Sequence, residues 1–289
     1  MHPLIAELVV AAPILTDGAW GTQLQALGLP AGGCADEWNL TFPDRVEQVA
    51  RSYVDAGSRV ILTNTFRANS IALAAKGLAD QAAEINRAGV DISRRAGAGR
   101  ALVFASIGPS GKLLLTGEVK EPELRDTFAA QARALADAGA HALVIETMAD
   151  LNEATIALSA ARETGLPVVV CMVFDSGKAR DRTMMGATPE QVAERLTAAG
   201  ADVIGANCGQ GIAGYVEVCR RLRAATDRPV WIKANAGLPE IVDGEIVYRI
   251  TPAEFAADAL RVRDAGAAFI GGCCGTSPPF IRAVAAALR

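Results

Sequence analysis

The sequence of 289 residues is short of several things, and each shortage excludes something. It has only two histidines, and neither His2 nor His141 stands where a metal ligand would be placed. Net charge is −4 and no basic cluster stands out, so the electrostatic footprint of nucleic-acid binding is missing. The longest apolar runs, such as 166–174, fall well short of the roughly 20 residues that span a bilayer. The opening Met1-His2-Pro3-Leu4-Ile5-Ala6-Glu7 has no cationic segment leading into an apolar signal core. These absences lead us to expect a cytoplasmic enzyme with no membrane or nucleic-acid partner. Six cysteines in so long a chain are not a disulfide framework, and in a reducing compartment clustered thiols bind metal more often.

What is present is a large supply of apolar residues, 51% of the chain, enough to bury a sizeable core. Short β-rich runs alternate with Ala-rich amphipathic stretches throughout. The strand candidates are 14–19, 59–66, 101–108, 142–147, 167–174, 202–209, 229–235 and 268–274. Helical patterns fall at 43–56, 79–96, 121–138, 150–163, 189–199, 211–224, 252–265 and 278–288. Several end in an Ala-Gly pair before the next strand, as at Gly57, Gly139, Gly200 and Gly266, where a left-handed cap is expected. Eight strand–helix units predict an α/β fold, a (β/α)8 TIM barrel with residues 1–289 as a single domain. An open doubly wound sheet alternates in the same way, but no Gly-x-Gly-x-x-Gly turn follows the first strand and no linker divides the chain.

Barrel active sites lie at the C-terminal ends of the strands. Here those ends carry Asp17, Asn64, Glu146, Asn207 with Cys208, Asn235, and Cys273 with Cys274. A polar rim of this kind is costly unless its groups are satisfied or used. Alternation puts Ile204, Ala206 and Cys208 on one face of the sixth strand; likewise Trp231, Lys233 and Asn235 on the seventh, and Phe269, Gly271 and Cys273 on the eighth. If Cys208 points inward, strands six and eight present thiols on either side of strand seven, with backbones roughly 10 Å apart. Inward-leaning side chains close that gap to zinc–sulfur bonds of about 2.3 Å, and the flanking glycines let Cys274 turn to the same ion. Each cysteine alone is more often a core hydrophobe, and for Cys34, Cys171 and Cys219 loop, strand-interior and helix-surface readings suffice.

Zinc on three protein ligands keeps a fourth position open, the arrangement of a catalytic site. Three thiolates against one divalent ion make a poor Lewis acid for splitting water. They suit the capture of a substrate thiol, which at neutral pH is only a few per cent ionised when free and is deprotonated by coordination. The chemistry implied is thiol alkylation.

Five segments together resemble the homocysteine S-methyltransferase family: Asp17-Gly18-Ala19-Trp20-Gly21-Thr22, Thr63-Asn64-Thr65-Phe66, Ile145-Glu146-Thr147, Gly205-Ala206-Asn207-Cys208 and Gly271-Gly272-Cys273-Cys274-Gly275-Thr276. The family includes the homocysteine-binding module of cobalamin-dependent methionine synthase and the betaine–homocysteine methyltransferases, and the resemblance runs from about residue 14 to 288. It implies zinc on Cys208, Cys273 and Cys274, with homocysteine methylated to methionine. It also implies a substrate-binding set of Asp17, Gly18, Ala19, Asn64, Glu146 and Asn207. Within that set Asp17 and Glu146 hold the ammonium, and backbone N–H groups near Gly18 and Ala19 hold the carboxylate. Asn235, between the ligand strands, is the candidate to fill the fourth zinc position until substrate displaces it.

The methyl donor is read from what surrounds this set. A betaine site needs an aromatic cage for cation–π binding. Here Arg67 follows Thr63–Phe66, Thr147 follows Glu146, and Trp38 is left as one surviving wall. The expected donor is therefore a methylated corrinoid or folate-linked carrier delivered by a separate protein. Betaine, S-methylmethionine and S-adenosylmethionine are the alternatives. A remote second reading takes Lys233 as the imine-forming amine of a barrel lyase.

Overall fold

The computed structural model describes residues 1–242 and 245–289. Eight parallel strands make one sheet in the order β1-β10-β7-β6-β5-β4-β3-β2. They are β1 (Ile14–Leu15), β2 (Val60–Ile61), β3 (Leu102–Ile107), β4 (Ala142–Met148), β5 (Val168–Met172), β6 (Val203–Gly211), β7 (Val230–Asn235) and β10 (Ala267–Gly272). A separate antiparallel hairpin, β8 (Glu240–Val242) with β9 (Glu245–Val247), extends the loop after β7.

The ends of that order meet. Arg59 N–H donates to Leu15 O at 2.9 Å, and Leu62 N–H donates to the Asp17 carboxylate at 2.7 Å. A side chain thus replaces part of the β1–β2 ladder, and the sheet curls into a nearly closed (β/α)8 barrel. The same substitution explains why β1 and β2 are two residues each, far shorter than the 14–19 and 59–66 read from sequence.

Helices Pro43–Ala56, Ala82–Gly97, Glu121–Asp137, Leu151–Arg162, Pro189–Ala198, Tyr215–Ala225, Pro252–Asp264 and Pro278–Ala287 follow the eight barrel strands. Their starts are fixed by local chemistry: Thr188 and Thr251 each close a capping box ahead of a proline at the first helical position. Their stops match the Ala-Gly expectation, since Gly57, Gly139, Gly200 and Gly266 all adopt positive φ, between 89° and 109°. The short helices Pro3–Val9, Gly21–Ala26, Trp38–Thr41 and Ser70–Ala74, and the hairpin, were not anticipated.

Apart from a small cluster of Ala68, Leu73 and Ile85, the buried apolar residues form two layers. Ile61, Val103, Ile145, Val170, Ile204 and Ile232 face the helices. Ile14, Val60, Phe104, Val169, Trp231 and Phe269 fill the barrel itself. Trp231 stacks between Phe104 and Phe269, with ring centroids 6.1 and 5.1 Å away. Ile5 and Leu8 of the helix Pro3–Val9 join this inner layer and plug the N-terminal end of the barrel. No helix among the described residues is long and apolar enough to cross a membrane.

Candidate metal centre

The sheet order puts β7 between β6 and β10, as the thiol argument requires. The sulfurs of Cys208, Cys273 and Cys274 lie within 4.8 Å of one another. Strand alternation alone does not bring Cys208 there. Ile204 and Ala206 pack in the outer layer against the helices, so a regular strand would point Cys208 away from the barrel. Instead Cys208 adopts φ +61°, and the β6–β7 register shifts between Cys208 and Gly211. This left-handed kink re-aims the thiol towards the mouth, at a backbone cost of order 1–3 kcal/mol. The expectation that Cys208 shares an inward face with Ile204 and Ala206 is thereby corrected.

Asn235 at the end of β7 ties the two thiol-bearing loops together. Its Nδ2 donates to Gly209 O at 3.2 Å, and its Oδ1 accepts from Cys274 N–H at 3.1 Å. Gly275 turns with φ +80°, and a side chain there would collide with the ring of Tyr248. Thr276 secures the same turn by donating Oγ1–H to Cys273 O at 2.6 Å.

The donor set fits a zinc ion. Bonds of about 2.3 Å in a tetrahedron place sulfurs about 3.8 Å apart, inside the observed 4.8 Å limit. Thiol donors from Cys273 and Cys274 pull Cys208 down to about 3. Donating to that sulfur holds Cys273 well above the usual thiol range and pushes Cys274 up to about 12. Three sulfurs this close carry three charges together only when a cation sits among them. Among the described residues no histidine or carboxylate joins the group, so the set does not close to four ligands of these types.

Below the thiols lies a polar floor. Glu146 is 7% exposed; its Oε1 accepts from Ser106 Oγ at 2.5 Å and its Oε2 from Asn207 Nδ2 at a long 3.4 Å. Burial raises its pKa, against the lowering effect of Lys233. Asn207 also spans to Thr147, accepting its N–H and donating to its Oγ1, both at 2.7 Å. Thr147 is held at φ +60°, a strained setting for a β-branched residue. The structure thus joins Glu146 and Asn207 to the thiol cluster.

Other expected site residues are already engaged. Asp17 is fully buried. It pairs with Lys233 and accepts from Trp20 Nε1 at 2.7 Å as well as from Leu62 N–H. Ala19 N–H donates to Thr276 O at 2.9 Å, so a carboxylate binding there must displace that bond. Gly18 packs so tightly that a Cβ would strike Thr276 O and Tyr53. Asn64 holds the approach loop, donating to Ala35 O at 2.7 Å and to Asn39 Oδ1 at 2.9 Å. Trp38 offers no cage wall: it is 5% exposed and the Arg45 guanidinium covers its ring, 5.3 Å from the centroid. Lys233 is unfit as an imine nucleophile. Burial lowers its pKa, but the Asp17 and Glu146 charges outweigh that and raise it, keeping the amine protonated.

Sequence reasoning missed Ser106, Tyr53 and the Lys233–Asp17 pair, and read Thr147 only as a residue beside the donor. Only the pair left a signal, a lysine inside an otherwise apolar strand run.

Fold and site define a (β/α)8 protein with a cluster of three thiols at the C-terminal mouth of its barrel. The chain belongs to the homocysteine S-methyltransferase family, whose model matches residues 14–288. Methionine synthase of Mycobacterium tuberculosis is 33% identical over 295 residues, covering 94% of this chain. The chain spans only 24% of that relative's length. Betaine–homocysteine S-methyltransferase 1 of Danio rerio is 29% identical, over 98% of this chain and 74% of its own. The metallated form of the Escherichia coli homocysteine methyltransferase MmuM shares the fold, with a TM-score of 0.82 over 99% of both chains at 24% identity.

Proposed function

We propose that this chain methylates the thiol of homocysteine to give methionine, with zinc held by Cys208, Cys273 and Cys274. The observation that carries the reading is the approach of three thiols to within 4.8 Å at the barrel mouth, in a chain of this family. When bound, the ion supplies the positive charge that lets a thiol of pKa about 8.5 ionise at neutral pH. Asn235 Oδ1 keeps one lone pair beyond its bond to Cys274 and is the residue to face the fourth position before substrate arrives. Glu146, whose Oε2 has a single long partner, receives the substrate ammonium. Gly18 and Ala19 present their N–H groups to the carboxylate, Ala19 by exchanging its bond to Thr276. Asn207 keeps Glu146 in place. Asn64 acts through the loop it anchors. Transfer forms a sulfur–carbon bond, and the donor keeps the electron pair of the bond that breaks.

The donor we propose is a methylated corrinoid or folate-linked carrier presented by another protein. Two features favour it. The ring of Trp38 is already taken by Arg45. In addition, Leu113, Leu115, Met184, Met185, Leu238 and Ile241, on the loops after β3, β5 and β7, are all exposed, an apolar rim suited to a large partner.

The test is metal analysis followed by homocysteine turnover with methylcobalamin, betaine, S-methylmethionine and S-adenosylmethionine in turn. Bound zinc and methionine formed from methylcobalamin are expected. A clear preference for betaine overturns the donor assignment. No methionine from zinc-loaded protein with any donor overturns the reaction.

A further inference from the structure

Three ionisable side chains share the barrel interior beneath the thiols, and they are unequally committed. Asp17 and Lys233 are 0% and 2% exposed, and Glu146 is 7% exposed. Lys233 on β7 is in register with Gly271 on β10. Gly271 leaves the way clear: a Cβ there would collide with Thr16 Oγ1 and come within 2.7 Å of Asp17 O. Gly271 thus lets β10 lie close against the Thr16–Asp17 segment, and the lysine on β7 pairs with the Asp17 carboxylate beyond β10. Asp17 Oδ1 accepts from Lys233, while Oδ2 accepts from Leu62 N–H and Trp20 Nε1. Both of its oxygens are engaged, by groups on three different segments. Glu146 has only the Ser106 hydroxyl as a close partner.

We infer that Lys233 is a specificity-determining residue: as a built-in counter-cation it withdraws Asp17 from substrate recognition and leaves Glu146 as the one carboxylate for a substrate ammonium. The inference rests on the homocysteine reading above and refines its substrate class. With Asp17 neutralised, the floor offers an α-ammonium one charge-assisted contact instead of two. One such contact gives a preference on the order of tenfold. The site then accepts thiols that lack the amino group, such as mercaptoalkanoates, as well as aminothiols. Lys233 acts on the substrate through the floor carboxylates, by its ion pair with Asp17 and more weakly by its charge near Glu146, so it is a positioning residue, and its signature is a change in ligand selectivity.

The experiment is isothermal titration of the protein with L-methionine and with its deaminated counterpart, 4-(methylthio)butanoate, which needs neither donor nor turnover. In the wild type a Kd ratio near ten is expected. Lys233→Met should raise that ratio at least tenfold by freeing Asp17. Lys233→Gln, which keeps a donor to Asp17 without the charge, should move it in the same direction. Because loss of a buried charge partner can unfold the protein, the second arm leaves Lys233 intact. Glu146→Gln alone should bring the ratio to about one, since Asp17 is already paired with Lys233. A wild-type ratio above about a thousand overturns the inference. So does an unchanged ratio in folded Lys233 variants, or a preference that survives Glu146→Gln. A folded protein that binds neither ligand overturns the homocysteine reading and this inference together, whereas binding with the wrong ratios overturns this inference alone.

Discussion

The lower and upper halves of the barrel interior are built by the same strands to opposite rules. The lower half is hydrocarbon, with Trp231 stacked between Phe104 and Phe269 over a plug of Ile5 and Leu8. The upper half buries Asp17, Glu146, Asn207 and Lys233 and holds Thr147 and Cys208 at positive φ. Hydrocarbon packing stabilises without demanding direction, so the register shift between Ala267 and Phe269 in the lower half aims no polar group. Buried polar groups are tolerated only with partners in place. The upper half therefore departs from regular strand geometry at Thr147 and Cys208, where side chains are re-aimed. Stability is concentrated below and chemistry above.

Exchanging the damage between halves is the strongest way to break that division. Cys273→Ser should reduce bound zinc from one equivalent to near none. It should also lower methyl transfer by more than the ~100-fold typical of lost outer partners. The metal-free protein should keep its unfolding midpoint. Metal analysis and denaturation measured side by side check this. Trp231→Ala should do the reverse, costing about 3–5 kcal/mol of stability while the molecules that remain folded bind zinc normally. If Trp231→Ala lost zinc at full stability, the two halves would not be separable.

The same division decides what was legible beforehand. The outer helices and central strands follow periodicity, because an apolar stripe and an alternating strand leave their pattern in the residues themselves. The order β10-β7-β6, and with it the meeting of three thiols, followed from barrel topology. What could not be read was aim. Alternation put Cys208 with Ile204, and only its φ of +61° turns it inward; nothing in the residue type announces that conformation. Asp17 was legible as a polar strand end, but not as a carboxylate standing in for a β-ladder partner. Trp38 was visible as an aromatic near the mouth, while the Arg45 covering it comes from the next helix. The N-terminal helix had a recoverable signal in Pro3 with Leu4, Ile5 and Leu8 at helical spacing.

A milder cut tests how closely aim and stability are joined in the upper half. Asn207→Ala removes both 2.7 Å bonds to Thr147 and the weaker contact to Glu146. Release of the strained Thr147 backbone offsets part of the loss. The net destabilisation should be about 1–2 kcal/mol, with the KM for homocysteine rising roughly tenfold as Glu146 loses its neighbour. A fall in stability with KM unchanged would make Asn207 a strut for Thr147 alone.

The smallest expected effect concerns Asp36, a rim acid that sharpens the contrast with Asp17 because it has no buried cation beside it. It is 4% exposed and accepts from the Arg67 backbone N–H at 3.0 Å. Burial pushes its pKa from 3.8 up to about 6, with that hydrogen bond lowering it only in part. The folded state therefore binds the proton more tightly than the unfolded chain, so this group's contribution favours folding at low pH. The contribution fades as pH rises from about 4 to about 6, and above that the buried charge is a net cost. Allowing for relaxation around the site, the difference between pH 4 and pH 7 should be about 1–2 kcal/mol. Asp36→Asn, which keeps an oxygen for the Arg67 amide, should be the more stable protein at pH 7 and should lack this slope. Urea denaturation of both proteins at pH 4.5 and 7 checks it. If the two proteins lose stability in parallel, Asp36 is ionised across that range, and the Arg67 guanidinium must serve it as Lys233 serves Asp17.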